Sequence, residues 1–113
     1  MNHPAANLHD VVHQRVRLGL LAILEEAGHA SFTYLKEALN LTDGNLARHL
    51  QVLEEAGMVK LERTSGKRPR TAVKITRRGR HGYRAEIEVL KELVLAAEGG
   101  ARVRRPKPAA ERP

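Results

Sequence analysis

Between Val12 and Ala27 apolar residues recur at Val12, Val16, Leu20, Ile23 and Ala27, the spacing of one face of an α-helix. Asp10 is suited to cap this run and Gly28 to end it, which predicts a first helix from Asp10 to about Ala27. Leu18, Leu21 and Ala22 lie beside the stripe, so the apolar surface is wider than one packing face needs. "SFTYLKEALN" predicts a short second helix. Ser31 or Thr33 is its cap, Phe32, Leu35, Ala38 and Leu39 face inward, and Asn40 stands at its end. "LTDGNLARHLQVLEEAGMV" predicts a third helix, capped by Thr42 and stopped by Gly57, with Leu46, Leu50 and Leu53 on its inner side.

After Gly57 the period changes from helical to alternating. In "MVKLERT" Val59 and Leu61 share one face and Lys60 and Glu62 the other; in "TAVKIT" Thr71, Val73 and Ile75 face one way and Lys74 the other. Two strands joined by "SGKRPR" make a hairpin with a basic loop. Thr76 then caps a last helix to about Ala97. Tyr83, Ile87, Leu90 and Val94 form one stripe on it, with Val89, Leu93 and Ala96 beside them. Gly79 and Gly82 weaken its first turns and predict a regular part that begins a turn late. The fold class is mainly α with a small β-hairpin. The chain divides into an N-terminal extension (1–10), one domain (11–97) and a basic tail (98–113) whose glycine, proline and charge predict disorder.

A length of 113 residues supplies one modest core and no second domain for a separate activity. The formal charge of +7 suits a polyanionic partner, and its placement narrows the choice. Residues 60–80 hold 9 basic and 1 acidic residue, and residues 99–113 hold 5 and 1, while acidic residues outnumber basic ones elsewhere. Without cysteine, disulfides, thiolate catalysis and Cys-based zinc sites are excluded. The N-terminus does not read as a signal peptide and no run is long enough for a membrane span, so the expectation is a soluble cytoplasmic protein.

The order helix, helix, helix, hairpin, helix is that of a winged helix-turn-helix. The stretch "FTYLKEALNLTDGNLARHLQVLEEAGMVKLERTSGKRPRTAVKITRRGR" resembles the winged-helix regulators of bacteria and archaea related to the MarR, ArsR and PadR types. The shared pattern is a short helix, "LT", a polar turn, "L-x-x-HL-x-x-LEEAG-x-V" and a basic hairpin ending in "IT-x-x-GR". The resemblance implies a homodimer on a near-palindromic operator in double-stranded DNA, with the third helix in the major groove and the wing along the backbone. Repression by promoter occlusion follows from the resemblance alone.

Geometry leads to the same surface independently. At about 100° per residue, burying Leu46, Leu50 and Leu53 leaves Gly44, Asn45, Arg48 and Gln51 on the opposite side, with Val52 at the margin. Small residues on the leading turn let the backbone approach a phosphate, while Asn45 suits adenine and Arg48 guanine. Thr42 and His49 complete the candidate set on a recognition helix spanning 42–57. The same Thr-Asp-Gly-Asn run is also ordinary turn and cap chemistry. His49, beside the buried stripe, reads as a packed or phosphate-contacting side chain rather than a catalytic base. In the wing (65–70), Lys67, Arg68 and Arg70 surround Ser65, Gly66 and Pro69, a tip suited to phosphates or the minor groove; the alternative is a plain solvated hairpin. Arg77, Arg78 and Arg80 extend the patch.

The broad apolar surfaces of the first and last helices predict a twofold dimer through Val12, Val16, Leu20, Ile87, Leu90 and Val94. His9 and His13, one turn apart, could share a metal, but no carboxylate or cysteine is evident to complete a site, and no metal or other cofactor is expected. Arg102, Arg104, Arg105 and Lys107 are either a tethered DNA-binding arm or a solvated end. No nucleophile with its base or paired carboxylate points to an enzyme. The competing reading is a winged helix that binds protein, and a metal-responsive regulator is a further alternative. No set of residues marks a small-molecule effector site.

Overall fold

The computed structural model describes residues 3–103, with side-chain surroundings as far as Gly99. A 3-10 turn, Pro4–Asn7, is followed by α1 (Asp10–His13), α2 (Arg15–Ala27), β1 (His29–Ser31), α3 (Phe32–Ala38), α4 (Asp43–Glu55), β2 (Val59–Arg63), β3 (Thr71–Ile75) and α5 (Arg77–Val103). The strands form one antiparallel sheet in the order β1-β3-β2.

The expected first helix is two helices. Gln14 takes extended backbone (φ −63°, ψ 135°), ends α1, and caps α2 by accepting a hydrogen bond from the Arg17 N–H (2.9 Å). His9 is the residue that caps α1, through Nδ1 to the Val11 N–H (3.2 Å); Asp10 is its first helical residue. The strand β1 is an element that the sequence pattern does not predict. It pairs with β3 through His29↔Lys74, Ala30↔Val73 and Ser31↔Ala72.

The inward faces of α3 and α4 follow the leucines. Leu35, Leu46, Leu50 and Leu53 are wholly buried, whereas Ala38 is exposed. Both helices stop by a left-handed residue whose successor bonds back across the turn: Asn40 (φ 54°) with Leu41 N–H to Lys36 C=O, and Gly57 (φ 77°) with Met58 N–H to Leu53 C=O. The hairpin has the expected alternation, with Leu61 opposite Val73 and Val59 opposite Ile75 on the core side. Lys60 stands directly opposite Lys74 on the outer side, and Glu62 offsets that like-charge pair by lying 3.5 Å from the Lys74 ammonium.

Helix α2 is the centre of the core: α4, α5, β1 and β3 all pack on it. That arrangement corrects the dimer expectation for the first helix. Val12 and Leu20 are fully buried and Val16 is 8% exposed, alongside Leu21 and Leu24, so the three proposed interface residues of this helix pack within one chain, while Leu18, Ala22 and Ile23 are half-buried and Ala27 is exposed. The last helix differs, since Ile87 and Leu90 are only half-buried and Val94 and Leu95 are more than half exposed.

Helix α5 starts at Arg77 with no lost turn, capped by Thr76 through its Oγ1 to the Gly79 N–H (3.0 Å). Close packing requires glycine at residue 79, and residue 82 is a tight contact with a flexible side chain. A β-carbon on Gly79 would lie 2.1 Å from the Met58 carbonyl oxygen, and one on Gly82 would meet the Met58 methyl at 3.2 Å. The helix continues past Ala97 to Val103, through Gly99 and Gly100, where composition predicts disorder from residue 98. Glycine lowers helix propensity by about 1 kcal/mol each without forbidding the conformation. Arg104, Arg105 and Lys107 lie outside the described residues.

Candidate nucleic-acid interface

The buried leucines of α4 fix its orientation. With Leu46, Leu50 and Leu53 at zero exposure, the geometry of 3.6 residues per turn sends Gly44, Asn45, Arg48 and Gln51 to solvent, and all four are exposed. The leading turn is held from two sides. Thr42 Oγ1 accepts from the Asn45 N–H (3.1 Å), and Asp43 pairs with Lys36 of α3 (3.0 Å). A β-carbon on Gly44 would meet nothing within 4 Å, so the start of α4 presents nearly bare backbone. Gln51 donates to Glu55 one turn on (3.2 Å), leaving Asn45 and Arg48 as the exposed polar side chains of the leading half without a hydrogen bond to another side chain among the described residues.

His49 is half-buried and its Nδ1 lies 3.3 Å from Arg17 Nη1. Burial lowers its pKa first, and the positive charges of Arg17 and Arg48 lower it further. The imidazole is therefore neutral at neutral pH, with Nδ1 as acceptor. On acidification the unfolded chain takes up this proton before the folded one, so the contribution of His49 to stability declines as pH falls through the ordinary histidine range.

The wing is a closed loop with a free tip. Thr64 and Arg70 clasp its base: the Thr64 N–H donates to the Arg70 carbonyl (2.8 Å), and the Arg70 N–H donates to Thr64 Oγ1 (2.9 Å). Gly66 (φ 123°) makes the turn, and Lys67, Arg68 and Arg70 are exposed around it. Arg68, Pro69 and Arg70 share a groove of about 590 Å³ with Ser31, Phe32 and Thr33. The basic tip thus borders the start of α3, an adjacency that sequence spacing could not reveal because β1, which brings these segments together, is only three residues long.

The basic residues at the start of α5 divide. Arg77 and Arg78 are exposed; the Arg78 stem crosses the α4–β2 turn beside Gly57 and lines a cavity of about 410 Å³ with His9, Met58, His81 and Glu86. Arg80, counted in the positive patch from sequence, is committed to Glu25 of α2 at 2.8 Å, as is Arg84 at 2.5 Å. The Arg84 hydrogen bond, assisted by Arg80, holds the Glu25 carboxyl below the usual range against the opposing effect of burial. Among the described residues no group of three or more His, Asp or Glu side chains is placed to hold a metal ion, and no helix is long and apolar enough to cross a membrane. The carboxylate beside His13 is Glu86, from a helix remote in sequence.

Short helices, a helix seated by buried leucines and a basic β-hairpin in this order define a winged helix, and comparison with known proteins agrees. The winged helix DNA-binding domain family matches residues 16–94. An uncharacterized protein of Methanocaldococcus jannaschii is 44% identical over 79 residues, which is 69% of this chain and 86% of that protein. Among solved structures, the transcriptional regulator homologue from Pyrococcus horikoshii OT3 matches with a TM-score of 0.73 at 35% identity, over 75% of this chain and 85% of that one. A protein from Enterococcus faecalis V583, described as a MarR-family transcriptional regulator, has the same fold, with a TM-score of 0.71 at 24% identity over 82% of this chain and 84% of that one. The chain belongs to the winged helix DNA-binding domain family.

Proposed function

We propose that this protein is a cytoplasmic, homodimeric transcriptional repressor that inserts α4 into the major groove of its operator and lays the wing on the adjacent backbone or minor groove. The observation that carries this reading is the exposed leading face of α4. Its small and polar residues, Gly44, Asn45 and Arg48, stand opposite a fully buried leucine stripe. In the groove, Asn45 and Arg48 would read base edges, Thr42 and the α4 N-terminus would meet phosphates, and Lys67, Arg68, Arg70, Arg77 and Arg78 would neutralise the backbone. His49 and Gln51 already have protein partners, so their part is to support the surface. A protein-binding winged helix would need an apolar patch here, and the exposed face of α4 is polar. Repression rests on the family resemblance, occlusion of a promoter being the action that a bound dimer performs by its bulk alone.

The second copy would dock on α5. Ile87, Leu90, Val94 and Leu95 form an apolar ridge on that helix, which would be costly to leave in water, and pairing two such ridges about a twofold axis would place two recognition helices on one face. Leu90→Asp combined with Val94→Asp is expected to give a folded monomer in sedimentation equilibrium at micromolar concentration, where the wild type is a dimer. Hydroxyl-radical footprinting tests the whole arrangement. Wild type should protect two patches about one helical turn, roughly 10 base pairs, apart. A single protected patch from a protein that sediments as a dimer would contradict the proposed geometry.

A further inference from the structure

The short helix α1 leaves carbonyls without intrahelical partners, because Gln14 breaks the chain out of helical conformation directly after it. Two of them are taken by one side chain. Arg17 donates from Nε to the Val11 carbonyl (2.6 Å) and from Nη2 toward the Asp10 carbonyl (3.4 Å). The third arm of the same guanidinium, Nη1, reaches His49 Nδ1 on α4. The anchor is itself fixed. Glu86 of α5, 2% exposed, accepts from the His9 N–H (3.0 Å) and faces His13 Nδ1 (3.0 Å), fastening α1 to α5. Arg17 therefore joins a turn pinned to α5 with the recognition helix, next to Arg48.

We infer that Arg17 is a positioning residue for DNA recognition, which fixes the rotation of α4 through His49 so that Asn45 and Arg48 meet the bases in one orientation. The inference rests on the reading that α4 enters the major groove. Burial of Leu46, Leu50 and Leu53 decides which face of α4 turns inward, and a planar guanidinium bound on three sides adds a directional contact that sets the remaining few degrees of rotation. A guanidinium can donate only to a neutral imidazole, and burial together with the charges of Arg17 and Arg48 keeps His49 neutral. Arg17 is half-buried and its three arms are turned to protein acceptors, which separates it from the exposed wing cations as a phosphate ligand.

The test compares wild type, Arg17→Met and His49→Leu, with His49→Gln as the conservative replacement that keeps an acceptor, each first checked for folding by circular dichroism. Two readouts are taken. The first, which needs no DNA, is the NMR titration of the His49 ring: in Arg17→Met its midpoint should rise toward the ordinary histidine value, as one of the charges depressing it is gone. The second is binding to the duplex that wild type selects most strongly from fragmented genomic DNA, used as the operator, and to an unrelated duplex across a salt series. Arg17→Met and His49→Leu should each lose roughly tenfold or more in operator affinity, the scale of a charge-assisted hydrogen bond, and should retain affinity for unrelated DNA and the wild-type salt slope. His49→Gln should restore most of the operator affinity. If Arg17→Met instead loses affinity equally on both duplexes and its slope falls by about 0.9, Arg17 is a phosphate ligand and the inference is overturned. Unchanged operator affinity alongside a shifted His49 midpoint overturns it as well, because the contact would exist and position nothing. Should Arg17→Met fail to fold, His49→Leu and His49→Gln decide the matter from the α4 side. Wild type that binds neither duplex sinks the DNA reading itself, a result separate from any difference among the variants.

Discussion

Gly79→Ala is expected to destabilise the protein by about 3 kcal/mol, the upper end of the usual cost of overpacking. An alanine in a helix would ordinarily stabilise by about 1 kcal/mol relative to glycine, so the predicted sign is opposite to that of helix propensity. The reason is the approach of α5 to the beginning of the hairpin. A β-carbon at residue 79 would sit 2.1 Å from the Met58 carbonyl oxygen and 2.8 Å from Ile75 Cγ1, and the carbonyl cannot turn aside, since it accepts from the Thr76 N–H (3.0 Å). Urea unfolding of the purified variant measures the effect. Gly44→Ala is the natural control, since its β-carbon would meet nothing within 4 Å. It should leave stability unchanged or slightly raised, by up to about 1 kcal/mol. A Gly79→Ala protein as stable as wild type would show that α5 and the hairpin are not packed as described.

Removing the wing cations is expected to act on DNA binding and not on the fold. Lys67, Arg68 and Arg70 are exposed, and the base of the loop is held by the backbone of Arg70 and the backbone and hydroxyl of Thr64, none of which the substitution removes. The triple alanine variant should therefore unfold within about 0.5 kcal/mol of wild type. Its plot of log affinity against log salt should be shallower by about 2 to 3 units, at roughly 0.9 for each phosphate that is no longer neutralised. The corresponding fall in affinity near physiological salt is on the order of a hundredfold. An unchanged slope would mean that the wing is a solvated hairpin that takes no part in binding.

How much of this was legible in the sequence depends on the length over which each signal extends. The α4 leucines repeat over a full helix between a threonine cap and a glycine stop, and the hairpin alternates over five residues in each strand; both were readable because pattern and boundary agreed. The strand β1 has three residues, too few for alternation to show, and the break at Gln14 falls inside an unbroken apolar period. Neither has a local signature. Charge alone could not separate exposed Arg78 from Arg80, which folds back on Glu25, nor single out Arg17, whose partners come from the preceding turn and from α4. Apolar breadth misled in one respect. It marked the first helix as an interface, when α4, α5 and the sheet cover that helix on several sides within one chain. Gly79 looks like weak helix in the sequence, since propensity is local and the Met58 carbonyl that requires glycine there is not.

The proposed function depends on the reading of a particular DNA sequence by α4 and the wing. It is tested most directly by incubating the purified wild-type protein with fragmented genomic DNA at moderate salt, recovering bound fragments and sequencing them, with an Asn45→Ala, Arg48→Ala variant in parallel. Wild type should enrich a twofold-symmetric motif with half-sites about one helical turn apart, and the variant should bind DNA but lose the motif. Folded wild-type protein that enriches no sequence over the input, or a variant that enriches the same motif equally well, would contradict the proposed function.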